Sequence, residues 1–201
     1  MLNPTKIEPE CFTLFKKKNK PKTYERDCDH KVRECLRNTL FEEQKEQCFY
    51  CEQKIKNDSK KVHIEHFIPR DANLKDTDCN YNNLFLSCEE KEHCGKKKDN
   101  KYDENKYIRL FSNKYSLEKP SDFFDYSTRG KIKAKKSLSD DKKIRAENTI
   151  ELLNLNYKEL VNARKVMFKN IESYKQSGLD IQIIYGYFEE FESIFKKFGA
   201  L

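Results

Sequence analysis

The segment from His63 to Arg70 concentrates side chains that could do chemistry, with two imidazoles and a carboxylate within four positions. In a strand, His63 and Glu65 share one face, while His66 projects differently at the strand's end, before the turn that Pro69 enforces. A carboxylate beside an imidazole suits a hard divalent cation next to a general base. The spacing therefore predicts a metal-assisted acid–base site, and the alternative interpretation is a solvated polar strand.

Two pairs of cysteines flank this segment. Cys48 and Cys51 have the two-residue gap that lets both thiolates of a tight turn reach one tetrahedral ion. Cys88 and Cys94 have five residues between them, so the loop 89–93 must bulge for the two sulfurs to converge. Four thiolates leave no open coordination position. The predicted zinc is therefore structural, and it holds together a module too small to fold on its own core.

The remaining cysteines are expected to stay reduced. The N-terminus lacks the apolar stretch of a secretory signal, and nowhere do about 18 apolar residues run together, so we expect a cytoplasmic protein with no membrane span. Disulfides are rare in a reducing cytosol, which favours metal binding for closely spaced pairs. We therefore interpret Cys28 and Cys35, on one face of a predicted helix, as small core residues, and Cys11 and Cys79 as ordinary buried thiols.

The composition is that of a charged chain with a modest core. Of 201 residues, 36% are hydrophobic and 37% are charged, so much of the chain must be solvated surface. The 12% aromatic content argues against disorder. A net charge of +7 suits a polyanionic partner such as nucleic acid, although Lys-rich usage also follows from an AT-rich genome. The length allows one sizeable domain, or a small catalytic module with a helical companion.

Periodicity predicts an α+β protein in which a zinc-stapled finger is embedded among helices. Apolar residues at three- and four-residue steps predict a helix from about Tyr24 to Gln47. Short apolar segments at 62–64 and 84–86 predict two strands. Alternation across 123–135 predicts a hairpin, whose basic second strand either touches phosphates or is a solvated edge protected by lysines. The predicted divisions are an N-terminal helical segment, the finger, a linker with the hairpin, and C-terminal helices, at residues 1–47, 48–100, 101–140 and 141–201.

Two apolar stripes at helical spacing mark the C-terminal region, and Gly178 separates the two predicted helices. The second stripe is rich in Phe for a terminal helix, so it is either core or a dry face that meets a partner protein. The first stripe consists of Leu160, Ala163, Met167, Ile171 and Tyr174, and the second of Ile184, Tyr187, Phe188, Phe191, Phe195 and Phe198.

A family resemblance adds to these patterns. Asn83 precedes the second predicted strand, where its amide could tie the loop bearing His66 to the backbone across the finger. In chain order, Cys-x-x-Cys, Glu-His-x-x-Pro, Asn-Leu and Cys…Cys-x-x-x-Lys resemble the ββα-metal finger of HNH endonucleases, over about a quarter of the chain. More narrowly, CFYCEQKI, HIEHFIPR and YNNLFLSC…HCGKKKDN resemble the HNH partner of the ATPase in Septu anti-phage systems, also found beside some retrons. In that family an N-terminal helix precedes the finger and helices follow it.

The resemblance implies a phosphodiester hydrolase and suggests a role for each matching residue. His66 would be the general base that activates water, Glu65 a ligand of a catalytic Mg²⁺ or Mn²⁺, and Asn83 the residue that positions the histidine loop. His63 would contact the metal ligands without binding the metal itself. Basic side chains would gather phosphates around the site, namely Arg70, Lys96, Lys97 and Lys98.

One position departs from the family pattern. HNH proteins usually place a His or Asn ligand one or two residues after the last zinc cysteine, where this chain has Gly95 and Lys96. If a helix begins near Cys94, Asp99 could reach the metal one turn further along, and we favour it over His93, which precedes the cysteine. The identity of the third ligand stays open here, and so does a weakened or inactive site.

Three functions are compatible with these features. The first, which we expect, is a DNA nuclease restrained or targeted by an ATPase partner of the SMC or ABC-like type through the helical regions. The second is a zinc-stapled nucleic-acid-binding adaptor that has lost cleavage. The third is an RNA nuclease, because the finger would grip the backbone and the sequence contains no base-reading element that we can identify.

Overall fold

The computed structural model describes residues 1–70, 78–109 and 119–199, so part of the predicted linker 101–140 lies outside the described residues. The described chain is a mixture of helices and two small antiparallel sheets. No described helix is long and apolar enough to cross a bilayer. In chain order the elements are α1 (Glu10–Asn19), α2 (Tyr24–Asp27), α3 (His30–Glu43), β1 (Val62–His66), a 3₁₀ turn (Tyr81–Asn83), β2 (Leu84–Cys88), α4 (Cys94–Lys98), α5 (Pro120–Phe123), β3 (Phe124–Tyr126), β4 (Ile132–Ala134), α6 (Asp140–Leu152), α7 (Lys158–Gln176), α8 (Ile181–Phe188) and α9 (Glu192–Lys197).

The antiparallel strands β1 and β2 form the centre of the finger, with Val62 opposite Cys88 and His66 opposite Leu84. This pairing confirms the two predicted strands, and each strand is longer than predicted. β2 is buried along its whole length because α3 packs against it. The Gln44 side chain also hydrogen-bonds Leu86 in the middle of β2. It accepts from the Leu86 N–H at 2.7 Å and donates to the Leu86 carbonyl at 3.0 Å. The paired strands thus carry a cysteine at one end and a histidine at the other.

The helix predicted from about Tyr24 to Gln47 is in fact two helices, α2 and α3, separated at Cys28 and Asp29. The Asp29 side chain accepts a hydrogen bond from the Val32 N–H at 2.9 Å, which caps a new helix at this point. The apolar periodicity continues across the break, so the prediction merged the two helices. The preceding helix α1 was not predicted.

The prediction that the remaining cysteines are all free thiols is wrong for Cys11 and Cys35. These two residues form a disulfide, with their Cα atoms 6.8 Å apart. The bond is possible because α1 packs against α3. The sequence pattern did not predict α1, so it gave no reason to place Cys11 near Cys35. Cys28 is a buried free thiol, as predicted, whereas Cys79 is a free thiol that is only half-buried.

The predicted hairpin is confirmed as β3 and β4, in which Phe124–Tyr126 pairs with Ile132–Ala134. Lys131 and Lys133 are exposed and alternate with buried residues of β4. The Lys133 ammonium lies 3.7 Å from the Asp125 carboxylate. The lysines therefore form a solvated, charged edge, and their contact with phosphates stays a prediction.

The hairpin loop approaches α7 closely at Gly130. Its φ is +82°, and a Cβ added there would lie 2.1 Å from the carbonyl oxygen of Val161 and 2.9 Å from the amide nitrogen of Lys165. We expect Gly130→Ala to lower the free energy of unfolding by more than about 2 kcal/mol, because left-handed strain adds to an overlap with helix backbone. The matched control is Gly178→Ala, at φ +79° with nothing within 4 Å, which should cost only about 1–2 kcal/mol. Equal losses in urea titrations of the two variants would contradict the close approach.

The first stripe lies on one helix, and the second lies on two helices and on the residues that flank the last of them, Phe191 and Phe198. The first lies in α7, where Leu160, Met167 and Ile171 are buried, whereas Tyr174 at its end is exposed. The second is divided between α8 and α9, because the backbone adopts positive φ angles of 50° at Glu189 and 53° at Phe191. Its members differ in exposure, with Ile184, Phe191 and Phe195 buried and Tyr187 71% exposed. A partner surface on these helices stays a prediction.

The finger is packed into the C-terminal helices. The Cys94 N–H, at the start of α4, donates to the Leu153 carbonyl at the end of α6 at 2.9 Å. The Phe191 N–H, just before α9, donates to the Glu52 carbonyl at 2.8 Å. One hydrophobic cluster contains residues from the N-terminal helices, the finger and the C-terminal helices. The helices therefore support both cysteine turns of the finger.

Candidate functional site

Four cysteines converge at the base of the finger, as their spacing predicts. The sulfur atoms of Cys48, Cys51, Cys88 and Cys94 all lie within 4.8 Å of one another, and all four residues are buried. Burial raises the pKa of the Cys94 thiol well above its ordinary value, which opposes the thiolate form unless a cation is close. Four thiols at this spacing could hold a metal such as zinc in tetrahedral coordination.

Local backbone contacts position the two cysteine pairs. The first turn is closed by a hydrogen bond from the Glu52 N–H to the Cys48 carbonyl at 2.9 Å. The loop of the second pair bulges as predicted, and the Asn154 side chain holds it by donating to the Glu92 carbonyl at 2.7 Å. Cys94 adopts a positive φ of 62°, which turns the chain into α4. Contacts from the residues that follow α6 thus compensate for the long spacing of the second pair.

His93 lies at the cysteine cluster, which corrects its assignment as a candidate ligand of the catalytic metal. Its Nδ1 is 3.0 Å from the sulfur of Cys94 and 4.0 Å from the sulfur of Cys88, and its side chain is buried. The physical reason is its place at the end of the bulged loop, directly before α4, where the side chain turns toward the cysteines. It is not part of the cleft that contains Glu65.

An open cleft of about 220 Å³ lies between β1 and α4. It brings together the predicted base and the predicted metal ligand. The predicted site residues on its wall are His63, Glu65, His66, Arg70, Lys96 and Asp99.

Glu65 is the anion of the cleft, and its two oxygens have different surroundings. Oε1 lies 2.9 Å from the ammonium of Lys98 and accepts from the Tyr50 hydroxyl at 3.1 Å, whereas Oε2 lies 3.3 Å from Nε2 of His63. Burial opposes ionisation, but the hydrogen bond from His63 and the charge of Lys98 prevail and hold the pKa of Glu65 below its ordinary value. An ionised carboxylate with one anchored oxygen and one oxygen toward His63 fits a divalent cation as a single ligand.

Lys98 is not a surface residue, so its predicted role in binding phosphates is wrong. Its side chain is 1% exposed, because the inward face of α4 directs it to Glu65. The other basic residues lie at the surface. Lys96 pairs with Glu89 at 3.0 Å, and Arg70 pairs with Glu25 at 2.7 Å. The remaining member of the predicted set, Lys97, is exposed.

His66 reaches the cleft with one ring nitrogen already engaged. Its Nε2 is 2.9 Å from the Asp78 carbonyl oxygen, and the edge of its ring meets Tyr24 at a centroid distance of 5.0 Å. A carbonyl only accepts hydrogen bonds, so Nε2 carries the proton and Nδ1 keeps a lone pair. Burial lowers the pKa of His66 below its ordinary value, and the Asp78 carbonyl opposes that shift. The imidazole is therefore neutral near pH 7, which is the form a general base requires.

Asn83 ties the chain beyond His66 to the start of β2. Its side-chain oxygen accepts from the Ile68 N–H at 2.8 Å, and its amide nitrogen donates to the Ile68 carbonyl at 2.9 Å. Its own carbonyl accepts from the Phe67 N–H at 3.1 Å. The predicted contact between the amide and the histidine loop is thus present at the backbone two residues after the imidazole.

Replacing this amide should destabilise the protein. We expect Asn83→Leu to lower the free energy of unfolding by about 2–5 kcal/mol, because the buried N–H and C=O of Ile68 both lose their partner. The matched control is Asn82→Ala, since the Asn82 side chain is exposed one position away and its loss should cost less than about 0.5 kcal/mol. Urea titrations of the two variants measure the difference, and a mild effect of Asn83→Leu would contradict the anchoring role.

A third metal ligand of the predicted kind is not in place among the described residues. Gly95 and Lys96 stand where the resemblance places a His or Asn. Asp99 lies on the cleft wall, but α4 ends at Lys98 and Asp99 follows it with a φ of 51°, so it is not on the helix face from which its reach was predicted. In the described part of the chain, the cysteines form the one set of at least three His, Cys, Asp or Glu side chains whose ligand atoms converge within 4.8 Å.

Three residues that shape the site were not singled out from the sequence, namely Tyr50, Asp78 and Glu89. The strand register supplies a signal for Glu89. His63 pairs with Ser87, so Glu89 lies diagonally across the ladder on the same face, and its Oε1 is 2.9 Å from His63 Nδ1. The Asp78 contact is made by its backbone carbonyl, which no side-chain pattern reveals.

The geometry can therefore do two things. It can hold a metal in a closed set of four thiols, and it can present a neutral imidazole beside an ionised carboxylate in an open, partly basic cleft. No protein-family model matches the chain, and no curated protein matches it in a sequence comparison.

Proposed function

We propose that the protein is a metal-dependent nuclease of the HNH type that hydrolyses phosphodiester bonds. The observation that carries this proposal is the cleft that contains both neutral His66 and ionised Glu65, which lie on a strand paired with β2. That second strand ends at Cys88 of the four-cysteine cluster. The cluster would hold a structural zinc, since four thiols leave no position for a substrate. The order of motifs along the chain, which resembles the HNH finger, supports the same conclusion.

The chain's own residues suit the reaction. His66 keeps its lone pair on Nδ1 while Nε2 donates to the Asp78 carbonyl, so Nδ1 would accept the proton of the attacking water. Arg70 and Lys96 would bind phosphate oxygens at the cleft, since both are partly exposed. Glu65, with Asp99 as a second candidate, would hold Mg²⁺ or Mn²⁺. That ion supplies charge stabilisation on the phosphoryl and leaving oxygens.

The substrate and setting are part of the proposal. We infer that the substrate is DNA, and that an SMC- or ABC-like ATPase restrains or targets the nuclease in anti-phage defence. The net charge of +7 supports a nucleic-acid partner. The exposed side chains Ile183 and Tyr187 on α8 support a protein contact at the C-terminal helices. RNA is the alternative substrate.

One observation favours a second candidate function, an adaptor that binds nucleic acid without cutting it. The ammonium of Lys98 already neutralises Glu65, and Gly95 leaves the usual ligand position without a side chain. Both features would weaken the binding of a catalytic cation.

A cleavage assay separates these functions. The zinc-loaded chain is incubated with supercoiled plasmid or with single-stranded RNA, in Mn²⁺, in Mg²⁺ and in EDTA, beside His66→Ala purified in the same way. We expect nicking of plasmid that requires the divalent ion and is lost in the variant. Cleavage of RNA alone would support the alternative substrate. Binding of DNA without cleavage by either protein, also with the ATPase partner present, would overturn the nuclease and support the adaptor.

A further inference from the structure

The backbone of Gly95 leaves a space that another side chain fills. A Cβ added at Gly95 would lie 2.7 Å from His63 Nε2, 2.9 Å from Glu65 Oε2 and 2.9 Å from Ser87 Oγ. A side chain at position 95 would force these three side chains to move from their present positions. The imidazole of His63, which comes from β1, therefore reaches the position at the start of α4 from which a ligand would otherwise project.

His63 is held with its Nε2 toward the cleft. Its Nδ1 lies 2.9 Å from Oε1 of Glu89, and the other oxygen of Glu89 lies 3.0 Å from the Lys96 ammonium. Glu89 orients the ring through Nδ1, and an ion bound at Nε2 would take the place of the proton that Nε2 shares with Glu65. Metal-binding histidines are commonly oriented in this way.

The partner of Nε2 is the unanchored oxygen of Glu65. Nε2 of His63 and Oε2 of Glu65 are 3.3 Å apart, whereas Oε1 is held by Lys98 and Tyr50. Two ligands that each lie about 2.1 Å from one ion at right angles are about 3 Å apart. The two atoms therefore have the spacing of neighbouring ligands, and the anchored oxygen keeps the carboxylate in place.

We propose that His63 is a ligand of the catalytic metal ion, together with Glu65, and that Glu89 positions its imidazole. This inference rests on the proposed function, because it concerns the metal of the same cleft. It assigns the missing ligand to β1 and explains why Gly95 has no side chain. An imidazole nitrogen in the ligand set makes the site prefer Mn²⁺ over Mg²⁺, since Mg²⁺ favours an all-oxygen shell.

The test measures metal binding directly. The zinc-loaded chain is titrated with Mn²⁺, and the free ion is followed by its electron paramagnetic resonance signal, which binding removes. We expect His63→Ala to weaken Mn²⁺ binding at least about tenfold, and Glu89→Gln to weaken it less. The matched control is His30→Ala, which removes an 87% exposed imidazole from α3 and should leave Mn²⁺ binding unchanged. His63→Asp should restore binding and raise the affinity for Mg²⁺ relative to Mn²⁺.

The outcomes are separable from those of the cleavage assay. Unchanged Mn²⁺ affinity in His63→Ala overturns the ligand assignment, while ion-dependent nicking by the wild type would leave the nuclease standing. Conversely, a His63-dependent Mn²⁺ site in a protein that cuts no nucleic acid keeps the metal site and overturns the nuclease. Zinc content is measured in every variant. If His63→Ala holds less zinc than the wild type, His63→Asp decides, and unaltered metal preference there overturns the assignment.

Discussion

Cys51→Ser is expected to cost the finger its fold and the chain its bound zinc. The serine hydroxyl is a poor zinc ligand, and the other three thiols stay buried within a few ångströms of one another. A two-stranded sheet such as β1–β2 is marginal in water without further support, which the packing of α3 and a metal held by the cysteines would supply. Structural zinc contributes about 10–16 kcal/mol of folding free energy in isolated fingers. The loss of even a third of that contribution would lower the melting temperature of this chain by about 10 °C.

The experiment combines zinc content, by atomic emission, with thermal unfolding followed by circular dichroism. The matched control is Cys79→Ser, which alters a half-buried free thiol outside the cluster and should keep one zinc per chain. A chelator strong enough to remove zinc from the wild type should reproduce the Cys51→Ser melting curve. Equal zinc content and melting temperature in the two serine variants would contradict a structural metal at this cluster.

The finger was predictable because its signals are local. The Cys48-x-x-Cys51 gap and the apolar runs that became β1 and β2 each depend on a few neighbouring residues. The sequence predicted that Cys94 joins the other three cysteines, but not how its loop is bent to reach them. The bend depends on contacts with residues that follow α6, including the hydrogen bond to the Leu153 carbonyl, and these residues are distant in the sequence.

Other features depend on tertiary packing and could not be read from the chain. The disulfide between Cys11 and Cys35 requires α1 to pack on α3, and α1 has a weak apolar face with Phe12 as its buried residue. Lys98 was expected to bind phosphates with Lys96 and Lys97, a role that requires its ammonium to be at the surface. The ammonium of Lys98 pairs with Glu65 because α4 lies close to β1, and this tertiary contact cannot be read from the sequence.

The contacts of Lys98 connect the fold with the site. Its ammonium lies against Glu65, the His66 carbonyl and the Asp99 carbonyl, so one buried cation joins α4 to the end of β1. Removing one partner of a buried ion pair leaves an uncompensated charge, which is strongly destabilising. The pair therefore fixes Glu65 while leaving Oε2 toward His63, and this division allows the carboxylate to support both the fold and a metal.

His66→Ala is expected to lower cleavage about 10²- to 10⁴-fold, the effect of removing a positioned general base. The loss should appear in the rate at saturating substrate and not in DNA affinity, because Arg70 and Lys96 remain on the cleft wall. The truncation also empties space beside Tyr24, so a second variant is needed. His66→Gln fills that space, and its amide can donate to the Asp78 carbonyl, but it has no basic nitrogen.

Both variants should therefore be inactive while they retain zinc and a wild-type melting temperature within a few degrees. The measurement is the single-turnover rate of plasmid nicking in Mn²⁺, with His30→Ala as the control for loss of an exposed imidazole. If His66→Gln cuts at the wild-type rate, the base is another group. If His66→Ala alone is slow and also unfolds early, the imidazole supports the packing around Tyr24 and not the chemistry. Slow cutting by both variants, with intact zinc and DNA affinity, leaves proton transfer at Nδ1 as the step that was lost.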